Sequence, residues 1–218
     1  MSKKNTISAD WLITEYMNYV LKNDGKPKSV YAFTQDINTD EAKFYEYFGS
    51  FEGLEKSIFN TFFKNTLQLL EKDSNYTSFS PREKLLSFYF TFFEVLTANR
   101  SYVSYTLKDY KTNLQRLKIF SELKSSFNEF INSLEIETIE TKHKDIDSFQ
   151  KKALNESAWI QLLITIEFWL QDASAKFEKT DIFIEKSVNT SFEILNISPL
   201  KSIIDLGKFL YNEKIQMQ

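Results

Sequence analysis

The chain has 218 residues, 42% hydrophobic and 26% charged, with a formal net charge of −3 at pH 7. Such a length and balance fit one or two folded domains with a sizeable core rather than bulk disorder. With no cysteine, a single histidine (His143) and four glycines, the sequence excludes disulfides, thiol nucleophiles, multi-histidine metal centres and glycine-rich phosphate loops. His143 stands in the charged stretch Lys142–Asp145 and reads as a solvated loop residue. No serine or acid forms a nucleophile motif, so no catalytic residue, metal ligand or cofactor is assigned and an enzyme is not expected. The acidic balance supplies no global field for nucleic acid.

The abundant class is aromatic: 21 Phe, 11 Tyr and 3 Trp. Rings of this size either build a very aromatic core or line a cavity. The 24 Lys against 3 Arg point to an AT-rich coding sequence, which by itself raises the Phe count. The opening MSKKNTISADW has no apolar stretch of the secretory kind. The most apolar run, Ala158 to Leu170, is 13 residues long and is interrupted by Gln161, Thr165 and Glu167, too short and too polar to cross a bilayer. A cytoplasmic protein without a transmembrane segment is expected.

In chain order, the periodicity predicts helices near 8–23, 29–36, 40–47, 50–73, 81–98, 101–112, 114–135, 145–174, 181–196 and 199–215. Thr39 and Thr180 are candidate caps with acids behind them, and Ser80-Pro81-Arg82-Glu83 combines an N-cap serine, an N1 proline and a capping-box glutamate. Ser198-Pro199 opens a last amphipathic stripe, Leu200, Ile203, Ile204, Gly207, Leu210 and Tyr211, widened by Leu206 and Phe209. No hairpin turn joins alternating segments. The fold class is all-α.

The first third has three short helices followed by a long one, the outline of a helix-turn-helix head. A short helix ends at Ile37, and a second carries Phe44, Tyr45 and Phe48. Gly49-Ser50 and a new helix with Leu54 and Ile58 follow. Tyr45-x-x-Phe48 and this spacing resemble the TetR family of transcriptional regulators. The resemblance implies a head over 1–50, a helical ligand-binding and dimerisation domain over 51–218, and a second short helix that enters the major groove of duplex DNA. It assigns Thr39, Lys43 and Tyr45 to the reading helix and Lys26 and Lys28 to phosphates. Departures are Phe51, where the family carries a phosphate-contacting lysine, and a head with three lysines against six acids between Lys28 and Ile58. Phosphate binding draws its affinity from cations, whereas Asp40 and Glu41 serve a helix dipole.

Among the later helices, five aromatics lie within six residues, Phe88 to Phe93, and so wrap round a helix. Phe88, Phe92, Tyr102, Tyr105, Phe127 and Glu167 are the candidate contacts for a hydrophobic or aromatic small molecule or lipid; solid core, and for Glu167 a surface edge, are the alternatives. Helices 145–174 and 181–196 are the candidate homodimer interface. Stripes of Ala158, Leu162, Thr165 or Ile166, Trp169 and Ala173, and of Trp159, Leu163 and Leu170, face two ways on the first; Ile184, Val188, Phe192 and Leu195 line the second. A monomer with a thicker core is the alternative. The run Glu167–Val188 also resembles the TetR-fold lipid-binding accessory protein of ubiquinone biosynthesis, with an aromatic-Trp-Leu run, Asp172-x-Ser174 and Thr180-x-x-Phe183. That resemblance implies a head that no longer binds DNA, and peripheral membrane contact through 199–215. Packing of 199–215 on the body is the other reading.

Overall fold

The computed structural model describes residues 7–109, 117–136, 144–195 and 206, which contain helices and turns and no strand. Nine helices of five or more residues are described: α1 Ala9–Asn23, α2 Val30–Asp36, α3 Glu41–Tyr45, α4 Phe51–Leu70, α5 Pro81–Ala98, α6 Arg100–Asp109, α7 Ser121–Ser133, α8 Lys144–Gln171 and α9 Glu178–Leu195. His143, the end of the expected helix 101–112 and all but Leu206 of 199–215 lie outside the described residues.

The caps explain several boundaries. At α1, Ser8 Oγ accepts from the Trp11 N–H at 3.2 Å, and Asp24 closes the helix in the left-handed region at φ 47°. At α5 the capping box forms: Glu83 accepts from the Ser80 N–H at 2.8 Å and from its hydroxyl at 2.7 Å. Two expected caps move. Asp40, not Thr39, holds the N-cap position of α3, and α9 begins at Glu178, ahead of Thr180. The reading helix expected over 40–47 is also shorter, because the Tyr47 N–H turns back to the Phe44 carbonyl at 3.0 Å, a tighter i to i+3 closure.

The chain forms two compact units, residues 1–68 with 92–126, and 69–91 with 127–218. The expected boundary near residue 50 falls inside the first. In that unit α1 packs on α6 and α2 on α3, and Phe59 meets Phe120 edge-on at 4.8 Å. Ser57 donates to Glu122 at 3.2 Å and Ser126 to Asn60 at 2.8 Å, tying α4 to the first half of α7. The second unit is centred on Phe88, Phe127, Phe130 and Trp159. Phe88 lies 4.8 Å from Phe130 and 5.5 Å from Phe127, whose ring lies 6.3 Å from Trp159.

In the second unit α8 and α9 form an antiparallel hairpin. Gln161 donates to Ser187 at 3.2 Å and accepts from Ser191 at 3.0 Å, while Phe168 stacks on Phe183 at 4.6 Å. The corner between them is held by one carboxylate. Asp172 accepts from the Ser174 N–H and hydroxyl at 2.8 and 2.6 Å, and from the Thr180 N–H and hydroxyl at 3.0 and 2.7 Å. Lys176 and Phe177 turn the chain at φ 54° and 60°. Burial alone would raise the Asp172 pKa, but the four donors outweigh it and hold the carboxyl well below the ordinary carboxylate range.

One face of α8 differs from the sequence expectation. Trp159 is buried with Leu162, Thr165, Ile166 and Trp169, while Leu163 and Leu170 are half-buried. The proposed second stripe therefore merges with the first. The apolar face that points out is Ile160, Ile164 and Phe168, exposed by 54%, 53% and 36%. At 100° per residue these three lie opposite Leu162, Ile166 and Trp169.

Candidate functional site

The head is built on rings. Phe33 of α2, Phe44 of α3 and Phe51 of α4 meet pairwise at 6.2, 5.8 and 5.4 Å, and Tyr16 of α1 closes on Phe33 at 5.8 Å and on Phe51 at 5.3 Å. Phe51 is therefore part of the head's packing, which accounts for an aromatic residue where a phosphate-contacting lysine was the family expectation. Between α2 and α3, Asn38 takes φ 54° and the Thr39 N–H bonds back to the Thr34 carbonyl at 2.8 Å. This turn aims α3 outward. Phe44 and Phe48 are buried, while Ala42, Lys43, Tyr45 and Glu46 are exposed, Tyr45 by 53%.

The expected DNA-facing residues thus share the head but differ in state. Tyr45 points to solvent and Thr39 is half-buried. Lys43 Nζ lies 2.7 Å from Glu46, and that hydrogen bond and charge raise the lysine pKa. Lys26 Nζ lies 2.8 Å from the buried Glu55, which also accepts from the Tyr16 hydroxyl at 2.5 Å. Lys28 is exposed on the same loop as Lys26. Lys56, a cation that the sequence reading gave no role, lies 2.8 Å from Glu52. Three lysines of this region are therefore in ion pairs with the head's own acids. The pairs Lys43–Glu46 and Lys56–Glu52 are legible as helical spacings, whereas Lys26 and Glu55 are 29 residues apart.

The candidate ligand residues fall in both units. Phe88 and Phe127 are in the ring cluster of the second; Phe92 and Tyr102 are buried in the first, where Tyr105 is half-buried. Burial pushes the Tyr102 hydroxyl pKa above its usual range. Glu167 is exposed and accepts from Gln171 at 2.6 Å. The open clefts among the described residues include the two that follow. One, of about 460 Å³, lies at the α8–α9 corner against Phe168, Asp172 and Lys179. The other, of about 320 Å³, lies in the first unit against Asp10, Asn18, Asn65 and Asn99. None of the six candidate ligand residues lines either cleft.

A family model described as "Tetracyclin repressor-like, C-terminal domain" matches residues 84–210. The chain belongs to the TetR family. That match covers more than half of the sequence and lies outside the head, so it is independent of the Tyr45-x-x-Phe48 spacing. The all-α fold agrees with it, and the TetR family is in general one of homodimeric, DNA-binding regulators without enzymatic activity. No curated protein shows significant similarity to this TetR-family sequence. Among the described residues no helix is long and apolar enough to cross a membrane.

Proposed function

We propose that this TetR-family protein is a homodimeric transcriptional regulator whose binding to duplex DNA is modulated by a hydrophobic or aromatic small molecule in its C-terminal domain. The observation that carries the reading is the head geometry on a chain with a TetR C-terminal domain. A positive-φ turn at Asn38 presents α3 with Tyr45 and Lys43 outward and Phe44 and Phe48 inward. In this mechanism Thr39, Lys43 and Tyr45 approach base edges while Lys28, and Lys26 once it leaves Glu55, approach phosphates. The outward stripe Ile160, Ile164 and Phe168, with Phe183 stacked at its end, is the surface a second copy covers in an isologous contact. A ligand that separates the packed rings around Phe88 and Phe127 shifts the population towards a state of lower DNA affinity.

Titration against random duplex DNA at low salt tests the reading. Binding in the ordinary non-specific range, with affinity falling as salt rises, is expected; no binding at about 100 μM would sink it. The ion-paired lysines favour one alternative, a TetR-fold lipid-binding protein whose head does not bind DNA. For that protein the titration stays flat, and native mass spectrometry of the purified protein shows a co-purified hydrophobic molecule.

A further inference from the structure

We infer that Glu55 is an autoinhibitory partner of Lys26: it holds a phosphate-binding cation in reserve and so lowers the head's affinity for duplex DNA. The inference rests on the proposal that the head binds duplex DNA.

Lys26 sits on the loop between α1 and α2, and α2 is the first helix of the helix-turn-helix, the one that crosses the nucleic-acid backbone in this kind of docking. Its side chain is 34% exposed, whereas that of its partner Glu55 is 4% exposed. Glu55 belongs to α4, and its donors from elsewhere in the first unit include Lys26 at 2.8 Å and the Tyr16 hydroxyl at 2.5 Å. Stability alone is a weak reason for such a pair, because replacing a buried ion pair with apolar groups of similar volume is often neutral or better.

The pair instead sets a competition. A phosphate at the loop and the carboxylate on α4 both seek the same ammonium, and the buried carboxylate holds it in the structure. Tyr16 keeps Glu55 hydrogen-bonded when Lys26 leaves, so the exchange does not abandon a bare buried carboxylate. Lys43 and Lys56 differ, since each is paired with an exposed acid on its own short stretch of chain.

The test measures binding of the full chain to a random duplex as a function of salt, for the wild type, Glu55→Gln, Lys26→Met and the double variant. Glutamine keeps the shape and an acceptor for Tyr16 while removing the charge. Each phosphate contact adds about 0.9 to the slope of log affinity against log salt, so freeing Lys26 adds roughly a 3.5-fold loss between 50 and 200 mM salt for each engaged head. Glu55→Gln is expected to bind more tightly at low salt with that steeper slope, Lys26→Met to keep the wild-type slope, and the double variant to lose the gain. A gain that survives Lys26→Met overturns the inference, since it then reflects net charge alone. So does a wild-type slope that drops by about 0.9 per head in Lys26→Met, because Lys26 then already meets phosphate. If Glu55→Gln does not fold, Glu55→Asp, which draws the charge back by one methylene, replaces it with a smaller rise expected and no rise as the contrary result. Absence of binding by every variant and the wild type removes the DNA reading itself, and the inference with it.

Discussion

At the scale of single residues, Asp172 and Phe88 show how much one side chain can settle. The four hydrogen bonds to Asp172 favour its ionised form. Its folded pKa is depressed, so its contribution is complete above the unfolded value near 4 and is lost as pH falls through the folded one. Thermal unfolding followed by circular dichroism at neutral pH and at about pH 3 should show this loss, and Asp172→Asn should lower Tm at neutral pH by about 5 °C while flattening that acid limb. A variant with an unchanged acid limb would remove Asp172 as its source. Phe88, fully buried within ring contacts to Phe127 and Phe130, separates core from pocket. If the rings are structural, Phe88→Ala destabilises by about 3–5 kcal/mol, a drop in Tm of roughly 10 °C. A change under 1 kcal/mol in denaturant titration would place Phe88 at a site built to open. Sequence could flag Asp172-x-Ser174 as a break, but the carboxylate's reach to Thr180, eight residues on, depends on a corner with two positive-φ residues that nothing in their side chains announces.

At the scale of elements, the described helices were legible, and so was the inward stripe of α8 through Leu162, Ile166 and Trp169, but its outward apolar face was not. Local signals fix the starts: Ser80-Pro81-Arg82-Glu83 forms the expected capping box because all its bonds close within four residues. The outward face of α8 depends on long-range packing. Trp159 and Ile160 are adjacent and both apolar, and only the position of neighbouring helices decides that the first is buried and the second is 54% exposed. The homodimer reading makes this face decisive. Ile164→Asp is expected to convert the dimer to a monomer by light scattering coupled to gel filtration, with helicity preserved. On a solvated face the same change at a 53% exposed position would alter stability by within about 0.5 kcal/mol and leave the mass unchanged. Gln161, shared between Ser187 and Ser191, fixes the register of the two helices that would build the bundle.

At the scale of the whole molecule, the all-α class was readable from periodicity, but the grouping of helices was not. Sequence placed a boundary near residue 50, where the head motif ends; the compact unit that contains the head also takes in 51–68 and 92–126. The reason is visible in α1, which packs on α6, and in Phe59, whose ring meets Phe120. A fragment of residues 1–68 therefore lacks part of its own core. It is expected to show reduced helicity per residue and fast amide exchange compared with the same residues in the full chain. Full native protection in the fragment would show that the head is autonomous.

The cut between the units also falls inside α4, α5 and α7, and this matters during synthesis. A chain leaving the ribosome presents residues 1–68 first, but the ring that covers Phe59 arrives only with Phe120, after residues 69–91 of the other unit have emerged. At about 5–20 residues per second, the aromatic surfaces of the head stay incompletely covered for several seconds on every nascent chain. A protein this rich in phenylalanine is thereby exposed to chaperones, and to its neighbours on the same polysome, at the stage when its rings are least protected.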